Sequence, residues 1–292
     1  MILFFSPIFK ETLWGGSKLA KTFHYSTGNT TGECWGISAH SNGLTPVKNG
    51  LYFGKTLVDL WNNHRELFGN YPSTQFPILV KIIDAFDDLS IQVHPNDEQA
   101  KKVGALGKNE CWYILDADPY TKIIIGHHAK TKGEFVEYID HGDYHHLIQA
   151  FPISKGDSFY IEAGTLHAIC KGTLLLEVQQ SSDITYRFYD YDRIYHGEKR
   201  ELHLREAMNT VKIPDELIKT ELTSANFKVK IKDVDKSTTF KNSKYGTFFV
   251  CLEGQATIQN QDLKMGDFGF VSSDEQTFTV SENAKLAMIT LY

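Results

Sequence analysis

Long apolar runs, paired cysteines and basic stripes are all missing from this 292-residue chain. No uninterrupted apolar stretch approaches the ~18 residues that a membrane helix needs. Even the apolar start, Met1 to Phe9, is broken by Ser6 and Pro7, and nothing there reads as a signal peptide. The four cysteines, Cys34, Cys111, Cys170 and Cys251, lie far apart and form no C-x-x-C pair. They read as reduced thiols, and the expected location is cytoplasmic. With 30 Lys+Arg against 36 Asp+Glu, the net charge is -6, and no Lys/Arg stripe offers a surface for tracking phosphates. Nucleic acid is therefore not an expected partner, nor is a membrane. An anionic ligand would have to be met by a few local basic groups. Disorder is excluded as well, because 41% hydrophobic and 13% aromatic residues supply ample surface for a core.

What is present is mostly strand. Ile78 to Ile83, Leu89 to Val93, Cys111 to Leu115, Lys122 to Ile125, Ser158 to Ile161, Leu174 to Gln179 and Thr185 to Tyr189 are short. Most are rich in β-branched or aromatic residues, and turn residues bound many of them, as in an all-β sandwich or barrel. Three stretches carry helical spacing instead. Leu57 to Phe68 has apolar residues three and four apart, with Thr56 as N-cap and Gly69 as stop. Gly133 to Gln149 is interrupted at His141-Gly142-Asp143, and Glu201 to Val211 is the third. Without regular β-α-β alternation, these helices are decorations on a β core. A boundary is expected near residues 212–225, around Pro214, followed by more strands from Phe227 to Tyr292. The two halves share one echo: Gly156-Asp157 and Gly266-Asp267 each form a turn feeding a strand. His167 stands eleven residues after Gly156, whereas Thr277 stands eleven after Gly266, so only the first half is expected to do chemistry.

That chemistry has three candidate anchors. In Gln92-Val93-His94-Pro95, strand alternation turns Gln92 and His94 to one face. In Gly156 to His167, a Gly-started strand and a tight turn at Gly164 lead to an imidazole at a barrel mouth. Glu110 opens an apolar strand, where a lone carboxylate is costly to bury. A divalent cation offsets that cost, and so does a salt bridge to a lysine. Two imidazoles, a carboxylate and an amide oxygen suit Zn²⁺, although other divalent metals also accept them. Cys111, next to Glu110, faces away from such a site.

The Gln92-x-His94 pair, Glu110 and the Gly156…Gly164-x-x-His167 segment resemble the two cupin motifs. A wider set resembles the type I mannose-6-phosphate isomerases in their short bacterial form. It comprises Leu13-Trp14-Gly15-Gly16, Glu33-Cys34-Trp35-Gly36-Ile37-Ser38, Gln92-Val93-His94-Pro95-Asn96-Asp97 and Lys108-Asn109-Glu110-Cys111-Trp112-Tyr113. Leu176-Glu177-Val178-Gln179-Gln180 and the run from Tyr186 to Arg193 complete it. Glu162 departs from the second cupin motif, which usually has Pro there.

The resemblance implies an all-β fold of cupin or jelly-roll barrels with helical decorations. Residues 1–215 would be the catalytic metal-binding cupin domain, and residues 216–292 a degenerate cupin-like β domain without a metal site. It implies zinc held by Gln92, His94, Glu110 and His167, and Arg187 as the active-site arginine. From the residues alone, Arg187 is either a cleft arginine or the partner of Asp183, Asp190 or Asp192. Lys81, which interrupts an apolar strand, Lys108 and Glu177 are candidates for contacting substrate, or else ordinary barrel residues. His127-His128, His141 and His145-His146 read as residues without a site role. The implied reaction is aldose–ketose interconversion of mannose 6-phosphate and fructose 6-phosphate, an intramolecular oxidoreduction on a small sugar phosphate. Two histidines and a carboxylate also suit a non-haem metal oxygenase, and a non-catalytic sugar-phosphate-binding protein is the third reading.

Overall fold

The computed structural model describes residues 1–195, 197–216 and 218–292. Three antiparallel layers organise it. A five-stranded sheet runs in the order Ile148–Pro152, Lys122–His127, His167–Ile169, Ile91–Val93, Tyr186–Tyr189. A six-stranded sheet runs Ser158–Ile161, Glu110–Ala117, Thr173–Gln180, Ile78–Ala85, Ile8–Gly16, Thr31–Ile37. Their facing sides enclose one core, with Ile123, Ile125 and Ile169 from the first meeting Trp14, Ile83, Trp112, Ile114 and Leu175 from the second. The eight-stranded third sheet curls round a core of its own, which contains Phe249, Cys251, Phe278, Val280 and Leu286.

Strand alternation explains how one sheet serves two cores. In Ile78–Ala85, Ile78, Val80 and Ile82 pack outward against Phe248, Phe268 and Phe270 of the third sheet. Lys81 and Ile83 face the other way, into the space between the first two sheets. The outward seam is the larger burial, and rings are added to it by Trp61 and Phe68, from the Leu57–Asn63 helix and its continuation, and by Phe76, from the loop before the Ile78–Ala85 strand. That helix starts at a capping box between Thr56 and Asp59, and Gly69 ends its 3-10 extension Arg65–Phe68 in a left-handed conformation.

The other helical expectations are trimmed. Gly133 to Gln149 divides into Lys132–Asp140 and Tyr144–Leu147, and Ile148 and Gln149 belong to a strand. Gly142, at φ 66, makes the break between the two helices. The last helix is Leu204–Thr210, beginning three residues later than its periodicity suggests. Two short helices, Lys18–Phe23 and Asp97–Lys101, carry too few apolar positions to show a period.

After residue 215 the chain forms Phe227–Val234, which pairs along its length with Ala284–Leu291. The same sheet takes in Ile2–Phe5 from the chain's start, paired with Phe268–Val271. The Gly-Asp echo is a shared turn. Gly156 (φ 96) and Gly266 (φ 88) donate their N–H to Ile114 O and Cys251 O at 2.9 and 2.8 Å. The Asp157 and Asp267 carboxylates accept from the Ser154 and Lys264 N–H groups at 2.7 and 2.8 Å.

Candidate active site

His94, Glu110 and His167 come from three strands or strand ends and converge in the space between the first two sheets. One ligand-capable atom from each lies within 4.8 Å of the others, and all three side chains are 1% exposed. The backbone sets this convergence. His167 is registered opposite Gln92 in one sheet, while Glu110 lies opposite Ile161 and Gln179 in the other.

Hydrogen bonds fix which imidazole nitrogen is bare. His94 Nδ1–H donates to the Ile184 carbonyl at 2.8 Å, and His167 Nδ1–H donates to the Thr165 carbonyl at 2.9 Å. Each ring therefore presents an unprotonated Nε2, and the two atoms are 3.1 Å apart. Two lone pairs at that separation repel unless a proton or cation lies beside them. Glu110 Oε1 is 3.3 Å from His94 Nε2, and Oε2 is 3.8 Å from His167 Nε2. Both oxygens are buried and neither has a hydrogen bond of acceptable geometry among the described residues. Lys108 Nζ is 2.8 Å from Glu110 Oε1 and donates to His94 Nε2 at 3.1 Å, so an ammonium supplies part of the missing positive charge.

Titration directions agree with this reading. Burial, then the Lys108 charge, lowers His94 to about 3, and burial also lowers His167. Burial alone would raise Glu110, but Lys108 and His94 outweigh it and hold the carboxyl well below its ordinary value. Two neutral imidazoles and an ionised carboxylate are what a divalent cation binds, so the donor set fits a metal. Gln92 sits at the edge of the triad. Its Nε2 donates to His167 Nε2 at 3.4 Å while its Oε1 accepts from the Ser90 hydroxyl at 3.0 Å. The hydroxyl can equally accept, so turning the amide over presents Oε1 to the site without losing that bond.

Beside the triad is a cavity of about 210 Å³ whose lining includes Trp14, Glu33, Lys81, Gln92, Lys108, Glu177, Asp183, Arg187 and Arg200. All the substrate-contact candidates thus reach one hollow. Lys81 and Glu177 face each other across adjacent strands, Nζ to Oε2 3.2 Å, each almost fully buried. Glu33 completes the group at 3.7 Å from Lys81. Burial opposes the Lys81 charge, but Glu33 and Glu177 outweigh it and raise its pKa, so it stays an ammonium. Glu177 is pushed up, by burial first and the Glu110 charge second, with Lys81 pulling the other way. Trp112 Nε1–H donates to its Oε1 at 3.0 Å, while Oε2 is buried without a hydrogen bond.

Arg187 is half-buried, and its Nε has no hydrogen-bond partner among the described residues. Of its three possible carboxylate partners, Asp190 pairs instead with Arg193 and Arg200, at 2.5 and 2.7 Å. Cys111 faces the outer seam, where burial pushes its thiol up. His127 is buried beneath the Lys132–Asp140 helix and donates to the Lys212 carbonyl at 2.8 Å, a structural histidine. Four larger clefts, of about 550, 620, 350 and 420 Å³, are also present, and none of them is lined by Lys81, Gln92, Lys108, Glu177 or Arg187. Glu33, Asp183 and Arg200 were not singled out as site residues from the sequence. Glu33 stood in a recognisable motif, whereas Arg200 lies in a polar segment whose pattern carries no signal.

Facing antiparallel sheets closed round two imidazoles and a carboxylate define a cupin-barrel protein with a candidate metal centre. The description "Phosphomannose isomerase type I, catalytic domain" fits residues 2–137. The chain is 53% identical over 216 residues to the probable mannose-6-phosphate isomerase GmuF of Bacillus subtilis, spanning 73% of this chain and 69% of that protein. It is 41% identical to the putative mannose-6-phosphate isomerase YvyI of the same organism, over 97% of both. The crystal structure of a Bacillus subtilis mannose 6-phosphate isomerase superposes with a TM-score of 0.94 at 38% identity, covering 99% of each chain. The chain belongs to the type I mannose-6-phosphate isomerase family, whose members are aldose–ketose isomerases. Among the described residues, no helix is long and apolar enough to cross a membrane.

Proposed function

We propose that this enzyme interconverts mannose 6-phosphate and fructose 6-phosphate in the cavity beside His94, Glu110 and His167, and that its metal is Zn²⁺. The observation that carries the metal is the pair of bare Nε2 atoms, 3.1 Å apart, facing a carboxylate whose buried oxygens lack hydrogen bonds. His94, Glu110 and His167 would hold zinc, with the Gln92 amide as fourth ligand. Bound there, zinc supplies Lewis-acid polarisation of the sugar's carbonyl and hydroxyl oxygens.

The chain's own residues do the rest. Interconversion moves a proton between C1 and C2 through a cis-enediol, with the hydroxyl proton passing between the two oxygens. Glu177 suits the carbon-to-carbon transfer, because it lines the cavity, has one oxygen without a hydrogen bond, and binds a proton more readily than a free carboxyl. Lys81 holds Glu177 in place, and Lys108 stands between the triad and the cavity to meet a sugar oxygen. Arg187 brings a planar fork, with an unpartnered Nε, to an oxyanion or phosphoryl oxygen.

We further propose that residues 1–215 carry the catalysis, that residues 216–292 hold no metal, and that the chain works in the reducing cytoplasm. Its four unpaired cysteines support the last point. One coupled assay of mannose 6-phosphate turnover, with metal analysis and a chelator arm, tests the function. Turnover under anaerobic conditions, lost on chelation and restored by Zn²⁺, is expected. Bound iron with oxygen consumption would instead establish an oxygenase, and binding without turnover a sugar-phosphate sensor.

A further inference from the structure

All three triad residues stand where the chain crosses between the two facing sheets. Ile91–Val93, just before His94, belongs to the five-stranded sheet, and Glu110 opens a strand of the six-stranded one. Residues 94–109 are therefore the first crossing. Ser158–Ile161 belongs to the six-stranded sheet and His167 opens a strand of the five-stranded one, so residues 162–166 cross back. Ladder hydrogen bonds fix positions within a sheet and not between sheets. The place of Glu110 relative to the two imidazoles therefore depends on how the crossings are tied together.

Three hydrogen bonds tie them. Lys108 N–H donates to Pro95 O at 3.0 Å and closes the first crossing on itself. Two consecutive amides of the second crossing reach both ends of the first. Gly164 N–H donates to His94 O at 2.9 Å, and Ala163 N–H donates to Asn109 Oδ1 at 2.8 Å. The first two bonds run from backbone to backbone. The last depends on a side chain, and Asn109 is the residue immediately before Glu110.

A second amide holds Asn109 in the required sense. Gln180 Oε1 accepts from the Asn109 backbone N–H at 3.0 Å and from Nδ2 at 2.8 Å, which leaves Oδ1 to face Ala163. Gln180 is buried, and its Nε2 donates in turn to Asp97 Oδ1 at 3.0 Å. Gly107 N–H donates to the same oxygen at 2.8 Å, so the network braces the first crossing as well. Donors run one way from Ala163 through Asn109 and Gln180 to a carboxylate, an order in which each bond polarises the next. Neither Asn109 nor Gln180 lines the cavity, so substrate contact does not account for the network.

We propose that Asn109, oriented by Gln180, is a positioning residue that sets the spacing of His94, Glu110 and His167 before a metal arrives. This rests on the reading of that triad as a metal centre. Groups behind a set of ligands commonly control metal affinity by holding the ligands in register.

The test compares the full-length wild-type enzyme with Asn109→Ala and Gln180→Ala. It reads Zn²⁺ affinity by competition with a chromophoric chelator, and ligand geometry by the visible absorption of the Co²⁺-loaded protein. Asn109→Ala should weaken Zn²⁺ binding about 10- to 100-fold and alter the Co²⁺ bands. Gln180→Ala leaves the Asn109 oxygen in reach but frees its amide to turn, so both readouts should move the same way by a smaller factor. It also serves if Asn109→Ala fails to fold. Folded variants with wild-type Zn²⁺ affinity and an unchanged Co²⁺ spectrum would overturn the assignment, even where urea unfolds them earlier. Wild-type enzyme that binds neither metal would instead overturn the reading of the triad, so the two failures are told apart.

Discussion

Lys81→Met is the sharpest test of how this cavity is held together, because it removes a buried charge and leaves its partner behind. Lys81 and Glu177 are 3.2 Å apart with both side chains 4% exposed. At an effective dielectric constant of about 20, that separation corresponds to roughly 5 kcal/mol of attraction before either group's desolvation is counted. Deleting one partner of such a pair commonly costs about 3–5 kcal/mol, since the survivor stays buried without compensation. Methionine keeps the length of the lysine stem, so no large cavity confuses the result. The penalty should also depend on pH. Without Lys81, the folded-state pKa of Glu177, already pushed up by burial and Glu110, rises further above its unfolded value. The folded variant then binds a proton that the unfolded chain does not, and its relative stability is greatest in acid. That stability falls as pH rises from the ordinary carboxyl value of 4.5 through the raised one. Urea unfolding of the metal-loaded protein followed by tryptophan fluorescence reads this directly, because Trp112 donates to Glu177 and Trp35 stacks under Lys81. Lys81→Met should lose about 3–5 kcal/mol at pH 8 and less at pH 5. Adding Glu177→Gln to it should recover most of the loss. A penalty below about 1 kcal/mol at pH 8, or one that grows towards acid, would refute the buried pair as described.

Three substitutions test the site itself. His167→Ala removes one of two converging Nε2 atoms and should abolish both metal binding, measured by elemental analysis, and turnover. Arg187→Ala removes a side chain that is not one of the three clustered donors, and it should keep the metal and lose about 10²- to 10³-fold in kcat, as expected for removal of a charge-stabilising donor. Glu177→Gln should retain metal and fold while kcat falls by roughly 10²- to 10⁴-fold, the range for loss of a general base. Near-wild-type turnover in any of the three removes that residue from the mechanism.

How much of this was legible beforehand follows from the range of each signal. Strand period and apolar content located seven of the eleven strands in the two facing sheets, and left out Ile8–Gly16, Thr31–Ile37, Ile148–Pro152 and His167–Ile169, which are short, bulged or broken by glycine. Alternation at Gln92 and His94 and the apolar setting of Glu110 marked groups that end in one cluster. Local sequence could not show that Lys108 is the near neighbour of Glu110, since residues two apart on a strand share a face without having to touch. The ambiguity at Arg187 was likewise one of partners. Three aspartates stood within six residues, and the fold gave the buried one to Arg193 and Arg200. Arg200 itself was invisible, because its place depends on a chain reversal with no hydrophobic pattern. The pairing of Ile2–Phe5 with Phe268–Val271 was hidden for the same reason, as a contact between the two ends of the chain.

The shared Gly-Asp turn gives the two barrels comparable positions, and at these positions their interiors differ. Registering each strand from its turn puts Val271 opposite Thr247 where Ile161 stands opposite Glu110. The strand pair Glu177 and Trp112 has its counterpart in Met288 and Phe249. Thr247 donates its hydroxyl to Asn242 at 2.7 Å, so no carboxylate is left bare, and Phe249 and Met288 close an apolar interior. That interior needs no cation, whereas the first barrel sets facing imidazole lone pairs and carboxylate oxygens without hydrogen bonds, met only by lysine ammonium groups, between its sheets. A polar arrangement of that kind is strained by itself and persists where rigid surroundings impose it. The outer face of the same six-stranded sheet supplies the rigidity. Phe248, Phe268 and Phe270 of the second barrel lock Val80 and Ile82, and so hold Lys81 between them at its inward station. The second barrel thus acts on the site through the strand it packs against.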